Sequence, residues 1–291
     1  MEDELLRIKQ LDLIRSKMQT VKDQSSRRDK MNEYLESSHF RFQQEKQSIS
    51  LNKLKEAMQL VYPQEHPLVS IDVEAYERSL GKVTEIGVVI YDPQVSPGSA
   101  VPLLKPYHII IQENLKLVNG RYVPDKKDRF MGGTSHVLRK KDAEMFVSAV
   151  IEKYINSRNG VLVGHHIEGD VKWLRSIGVN IKNDTAVVDT FRLFTISRSS
   201  GGTLRGVLRE INVPHGNLHN AANDAYYTLI AAMTYCDPHH RLEKNLDQFV
   251  HMEKKSAVDK KMDLFSRQSD VQKDDCRRID PATSKDSGLH I

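Results

Sequence analysis

The chain has 291 residues, 39% hydrophobic and 28% charged, with a formal net charge of +4. That is enough for one large domain or two small ones with polar appendages, and the mild positive excess permits a nucleic-acid partner without requiring one. No apolar run approaches the roughly 18 residues of a membrane span, the start is acidic rather than signal-like, and Cys236 and Cys276 lack metal-ligand spacing, which sets aside a membrane protein, a disulfide framework and a zinc site and favours a reducing, cytoplasmic or nuclear compartment.

Residues 1–65 read as a charged, helix-prone segment. Leu11, Ile14, Met18 and Val21 recur at helical spacing, as do Leu51, Leu54, Met58 and Val61. Between them Gln24-Ser25-Ser26-Arg27-Arg28-Asp29-Lys30 looks like a break or a solvated linker. Each stripe lasts only about two heptads, short of a coiled coil. Two readings stand: helices packing on the next domain, or an arm that binds a protein partner or self-associates.

Residues 66–236 alternate strand and helix, the pattern of an α/β domain. The apolar run Leu68-Val69-Ser70-Ile71-Asp72-Val73-Glu74 predicts a buried first strand. Alternation points Asp72 and Glu74 one way and sends Ile71 and Val73 into the core. Residues 82–92 predict its partner after a turn near Gly81, and residues 106–112 a third strand, so the first three strands form an antiparallel meander. Residues 113–140 read as one long loop, a length that is often functional. A helix over 141–157, a strand over 160–164, a helix over 170–177, a strand over 185–189 and helices over 204–211 and 221–235 complete a five-stranded mixed sheet. Residues 237–291 read as a polar, disordered tail, with Lys254-Lys255 and Lys260-Lys261 as solvated charge.

Two carboxylates side by side on a stiff strand need a countercharge, best supplied by a divalent cation with oxygen ligands. Asp-x-Glu alone carries no weight, since Asp142-Ala143-Glu144 repeats it at a helix start, where the two residues face apart. Order and context carry the signal. Asp170 follows the fourth strand in Gly164-His165-His166-Ile167-Glu168-Gly169-Asp170, and His219 and Asp224 open the last helix in His219-Asn220-Ala221-Ala222-Asn223-Asp224. Each aspartate taken singly is an ordinary helix-start residue.

Taken together, Asp72 and Glu74, then Asp170, then His219 with Asp224 resemble the three motifs of the DEDDh branch of the DnaQ-like 3′–5′ exonucleases. The match runs over about residues 66–236 and includes Val83-Thr84-Glu85-Ile86-Gly87 and Val188-Asp189-Thr190. Within that superfamily, residues 219–228 and Phe130-Met131-Gly132-Gly133-Thr134-Ser135 are similar to the fungal Gfd-type group. His166 and Gly169 stand where family members often carry asparagine and an aromatic residue.

The resemblance implies an RNase H-like fold and a two-metal exonuclease acting on 3′ ends of single-stranded RNA or DNA, RNA ahead of DNA. It implies Mg²⁺ or Mn²⁺ held by Asp72, Glu74, Asp170 and Asp224, His219 as general base, and substrate contacts at Val73, Ala75, His165 and His166. The alternative is a catalytically idle adaptor of the same fold that binds nucleic acid or protein.

Overall fold

Period-two alternation on the two longest strands sets the architecture. In β1 (Leu68–Tyr76), Val69, Ile71 and Val73 enter one hydrophobic core while Leu68 enters another on the opposite face. In β2 (Ser79–Tyr91), Ile86, Val88 and Ile90 join the first core, and Val89 and Tyr91 the second. Strands buried on both faces read as nearly continuous apolar runs. A computed structural model describes residues 9–16, 24–95 and 102–252, so Met18, Val21, Cys276 and the lysine pairs after 253 lie outside the described residues.

The sheet has six strands in the order β4-β3-β2-β1-β5-β6, not five. β1, β2 and β3 (Leu104–Ile111) form the expected antiparallel meander. β5 (Val161–Gly164) and β6 (Val187–Asp189) add on in parallel beside β1. The additional strand is β4 (Ser135–Leu138), which pairs in parallel with β3 inside the stretch expected to be loop. Its four residues are half or fully exposed at the sheet edge, so no alternation marks it. The first turn falls at residues 77–78 rather than near Gly81, because β2 starts at Ser79.

Among the described residues, helices flank the sheet. α1 (Gln24–Glu36) and α2 (Gln47–Val61) precede it, and residues 9–16 are also helical. α3 (Lys140–Val150) runs on as a π-helical stretch, Ile151–Asn156. α4 (Glu168–Ile177), α5 (Thr190–Ser197), α6 (Leu204–Glu210), α7 (Ala221–Tyr235) and α8 (Pro238–Glu243) follow. α3 and α4 cover the core of Ile71, Val73 and Ile86. α1, α2, α5 and α7 cover the other.

Two differences from the sequence reading concern the ends. Gln24–Lys30 is the first half of α1 rather than a linker. It has no apolar stripe of its own, and the helix is anchored by Met31, Tyr34 and Leu35 in its second half, all buried. The apolar stripe of α2 (Leu54, Met58 and Val61) is likewise buried in the domain's own core. Residues 237–250, read as the start of a tail, are also held to the domain. Asp247 Oδ1 accepts hydrogen bonds from the Tyr34 hydroxyl at 2.6 Å and from Arg241 Nε at 2.9 Å, and its Oδ2 lies 2.9 Å from His39 Nε2. Burial alone would raise the Asp247 carboxyl, but the Arg241 charge and the His39 and Tyr34 hydrogen bonds bring it below its usual value. A buried charge is tolerated when paired and hydrogen-bonded in this way. Polar composition hid this node, because its members lie some 200 residues apart.

Gly87 fixes how the last long helix meets the sheet. It pairs with Asp72 across the β1–β2 ladder, and a Cβ added there would lie 2.0 Å from the Ala221 carbonyl oxygen in the first turn of α7. Backbone cannot yield as a flexible side-chain tip can. Gly87→Ala is therefore expected to cost about 1–3 kcal/mol, a drop of roughly 2–4 °C in Tm per kcal/mol, measured by thermal melting.

Candidate active site

α7 seats on the face of the sheet that bears Asp72 and Glu74, and so brings its first turn to them. Its N-cap is Asn220, whose side chain accepts from Asn223 N, and Asp224 follows one turn on. Just before the cap the chain bends through left-handed backbone at His219, φ +70°, a region that histidine enters more readily than most residues. The His219 amide donates to Asp224 Oδ2 at 3.0 Å. One ligand atom each from Glu74, His219 and Asp224 lie within 4.8 Å of one another, forming the metal-competent group found among the described residues.

Asp170 arrives from the other side of β1. The parallel ladder with β5 covers Leu68 to Ser70, and beyond it the Val73 amide donates to Asp170 Oδ1 at 3.0 Å. That bond pins the first turn of α4 between Asp72 and Glu74. The bend leading to α4 passes through His166, φ +60°. Asp189 holds it by accepting from the His166 and Ile167 amides at 3.3 and 3.1 Å while capping α5 through Phe191 N and Arg192 N. α5 was not predicted from sequence, although the aspartate-capped start followed by Leu193, Phe194 and Ile196 was a readable signal.

The electrostatics are those of like charges crowded together, Asp170 and Asp224 buried and Asp72 and Glu74 half-buried. Burial, then Asp170, Asp224 and Glu74, hold the Asp72 carboxyl well above its ordinary range. Glu74 is pushed to about 8 by burial and then by Asp224 and Glu85. Asp170 and Asp224 both rise to about 7, chiefly by burial, against the opposing amide bonds from Val73 and His219. His219 moves down, through burial and then the charges of Arg205 and Lys126, so its imidazole is neutral at working pH and can accept a proton.

A divalent cation fits this set. Asp224 Oδ1 is buried with no hydrogen-bond partner among the described residues, and the carboxylate oxygens beside it are hard donors of the kind that divalent cations take.

Sequence reasoning missed the layer behind the acids. Glu85 pairs across the ladder with Glu74 and is 4% exposed. His108, fully buried, has Nε2 at 2.9 Å from Glu85 Oε2 and Nδ1 at 2.7 Å from Ser135 Oγ. Asn220 Nδ2 lies 3.3 Å from the same His108 Nε2 and 3.1 Å from the Lys126 carbonyl oxygen, to which it donates. Asn223 accepts from Met131 N and donates to the Arg129 carbonyl. The cap of α7 is thus clamped to the long loop and to β3. Glu85 in Thr84-Glu85-Ile86-Gly87 and His108 at a strand centre were the available signals.

The remaining predicted contacts divide. Val73 and Ala75 are buried, so what they can offer a substrate is backbone. His165 Nδ1 lies 2.9 Å from Thr190 Oγ1, and burial lowers this imidazole to about 4. His166 is exposed and stacks on Phe191 at 3.7 Å.

Residues 67–235 match the family model described as DNA polymerase III subunit epsilon-like, C-terminal domain, of the DEDDh type. The Saccharomyces cerevisiae protein named Good for full DBP5 activity protein 2 is 34% identical over 223 residues, 67% of this chain and 39% of that protein. An uncharacterized nucleolar protein of Schizosaccharomyces pombe is 34% identical over 167 residues, 54% of this chain and 64% of its own length. The chain therefore spans about two-fifths of the first relative. Among solved structures, exonuclease I shows 13% identity and a TM-score of 0.39 over 59% of this chain and 40% of its own. The RNase domain of yeast Pop2 shows 10% and 0.36 over 65% and 82%.

Proposed function

The chain belongs to the DEDDh family of DNA polymerase III subunit epsilon-like domains, with an RNase H-like fold, and on that premise we propose that it is a metal-dependent 3′–5′ exonuclease of single-stranded nucleic acid. The observation that carries the reading is the meeting of Glu74, His219 and Asp224 within 4.8 Å, with Asp72 and Asp170 adjoining in charge. An idle scaffold has no need to gather four acids with two of them, Asp170 and Asp224, buried and the other two half-buried.

In this reading Glu74 and Asp224 would hold one divalent cation and Asp170 a second, with Asp72 as the carboxylate that would serve both. Two divalent cations, when bound, would polarise the phosphate and lower the pKa of the attacking water. His219 takes the proton from that water at an imidazole nitrogen, and the bend before Asn220 keeps the ring over the pocket. Lys126 and Arg205, close enough to depress His219, supply positive charge facing an anionic strand. The preference for RNA over DNA rests on family analogy, and a cytoplasmic or nuclear location is the setting proposed for it.

His219→Asn, which tolerates the same left-handed backbone, is expected to lower kcat about 10²- to 10⁴-fold while the Mn²⁺-induced rise in Tm is kept. Digestion of matched RNA and DNA single strands side by side tests the reading as a whole. RNA should shorten faster, equal or faster digestion of DNA would overturn the preference, and two untouched strands would overturn the nuclease.

A further inference from the structure

The long loop after β3 holds an exposed aromatic side chain in a way that the acidic cluster does not explain. Glu77, in the turn just past β1, accepts hydrogen bonds from four consecutive loop amides: Gly120 at 3.4 Å, Arg121 at 3.0 Å, Tyr122 at 2.8 Å and Val123 at 3.2 Å. The Tyr122 amide first, with its neighbours, holds this carboxyl down to about 2, so the clamp is charged at any working pH. Asn119 adds two bonds, accepting from Glu77 N at 2.9 Å and donating to the Ala75 carbonyl at 3.0 Å. Asp125 closes the far side through Asn119 N and Lys127 N, and the buried Lys127 donates to the Leu117 carbonyl at 2.8 Å.

What this scaffold presents is Tyr122, 71% exposed, with the Arg121 guanidinium 5.2 Å from its ring centre. A solvent-facing tyrosine gains nothing from burial, yet its backbone is among the most heavily anchored loop backbone here. An aromatic face with an arginine over it is the chemistry that stacks unpaired bases whatever their sequence, while the cation meets the phosphates. The position suits this role. The clamp begins at Ala75, next to Glu74, and the same loop runs on to Asp125 and Lys126. The Lys126 carbonyl accepts from Nδ2 of Asn220, the residue next to His219, at 3.1 Å.

We propose that Tyr122 with Arg121 is a stacking platform for an unpaired base of a strand whose end lies in the acidic pocket, and that Glu77 is the positioning residue that fixes it. This rests on the nuclease reading above. The test is steady-state kinetics of the full chain with Mn²⁺ on a labelled single-stranded oligonucleotide. Tyr122→Ala should raise KM about tenfold with kcat within about twofold, and Tyr122→Phe should restore KM to within about threefold of the wild type. Glu77→Gln should raise KM at least as much as Tyr122→Ala, and the double variant should be no worse than Glu77→Gln alone. Each variant should keep the wild-type Tm rise with Mn²⁺, which separates a lost contact from a damaged fold.

A Tyr122→Ala enzyme with wild-type KM, or a Tyr122→Phe enzyme as impaired as Tyr122→Ala, would overturn the platform and leave the nuclease standing. A Glu77→Gln enzyme with wild-type KM would overturn the positioning role. A wild-type protein that neither binds nor shortens any oligonucleotide would remove both readings.

Discussion

Asp224→Asn is expected to abolish cleavage and, in the same protein, to raise the melting temperature measured without metal. The two effects have one cause. Asp224 is buried beside Glu74 and Asp72, and its charge raises the proton affinity of both. Replacing one with a neutral amide of nearly the same shape removes that repulsion, while the amide oxygen can still accept the His219 backbone bond that Oδ2 holds now. Relief of about 1 kcal/mol or more corresponds to a rise of roughly 2–4 °C. Losing one cation position forfeits several kcal/mol of transition-state charge stabilisation, or about 10³-fold or more in rate. Thermal melts in chelator and turnover in Mn²⁺ check the two halves. A variant that melts lower in chelator and keeps its turnover would contradict both.

Stability without metal should fall as pH rises from about 4.5 to about 8. Glu74 moves from an ordinary 4.5 to about 8 on folding, and Asp224 from 3.8 to about 7. Across that window the folded chain keeps protons that the unfolded chain has released, so unfolding is favoured as pH rises, and the slope vanishes above the folded values. Saturating Mn²⁺ should oppose this trend, because the ion binds deprotonated carboxylates and displaces their protons. The metal-induced rise in Tm should therefore be small at pH 5 and largest near pH 8. A rise that is flat across this range would show that the ion binds elsewhere.

Much of the site was legible in sequence because its parts are local. Asp72 and Glu74 ride on a strand whose alternation is unbroken, and the last long helix, Ala221–Tyr235, is bounded as its apolar pattern predicts. What stayed hidden was made by tertiary contact. β4 exists because the long loop folds back on β3, with Ser135 meeting His108. The first half of α1 is helical because Met31 and Tyr34 anchor the second. Arg241 and Asp247 read as tail charges until Tyr34 and His39 close over them. Glu85 is the instructive case. It lies in a segment marked as flanking, yet its role follows only from the cross-strand register with Glu74 and the burial of His108. Neither quantity has a sequence period.

If four acids and one histidine hydrolyse a strand from its 3′ end, a time course on single strands labelled at the 5′ end, with the 3′ hydroxyl either free or blocked by phosphate, will show it. With Mn²⁺ the free-ended strand should shorten one nucleotide at a time, the blocked strand should lag, and Asp72→Ala or added chelator should stop the ladder. Internal fragments appearing equally from both strands, or shortening that survives Asp72→Ala, would contradict it.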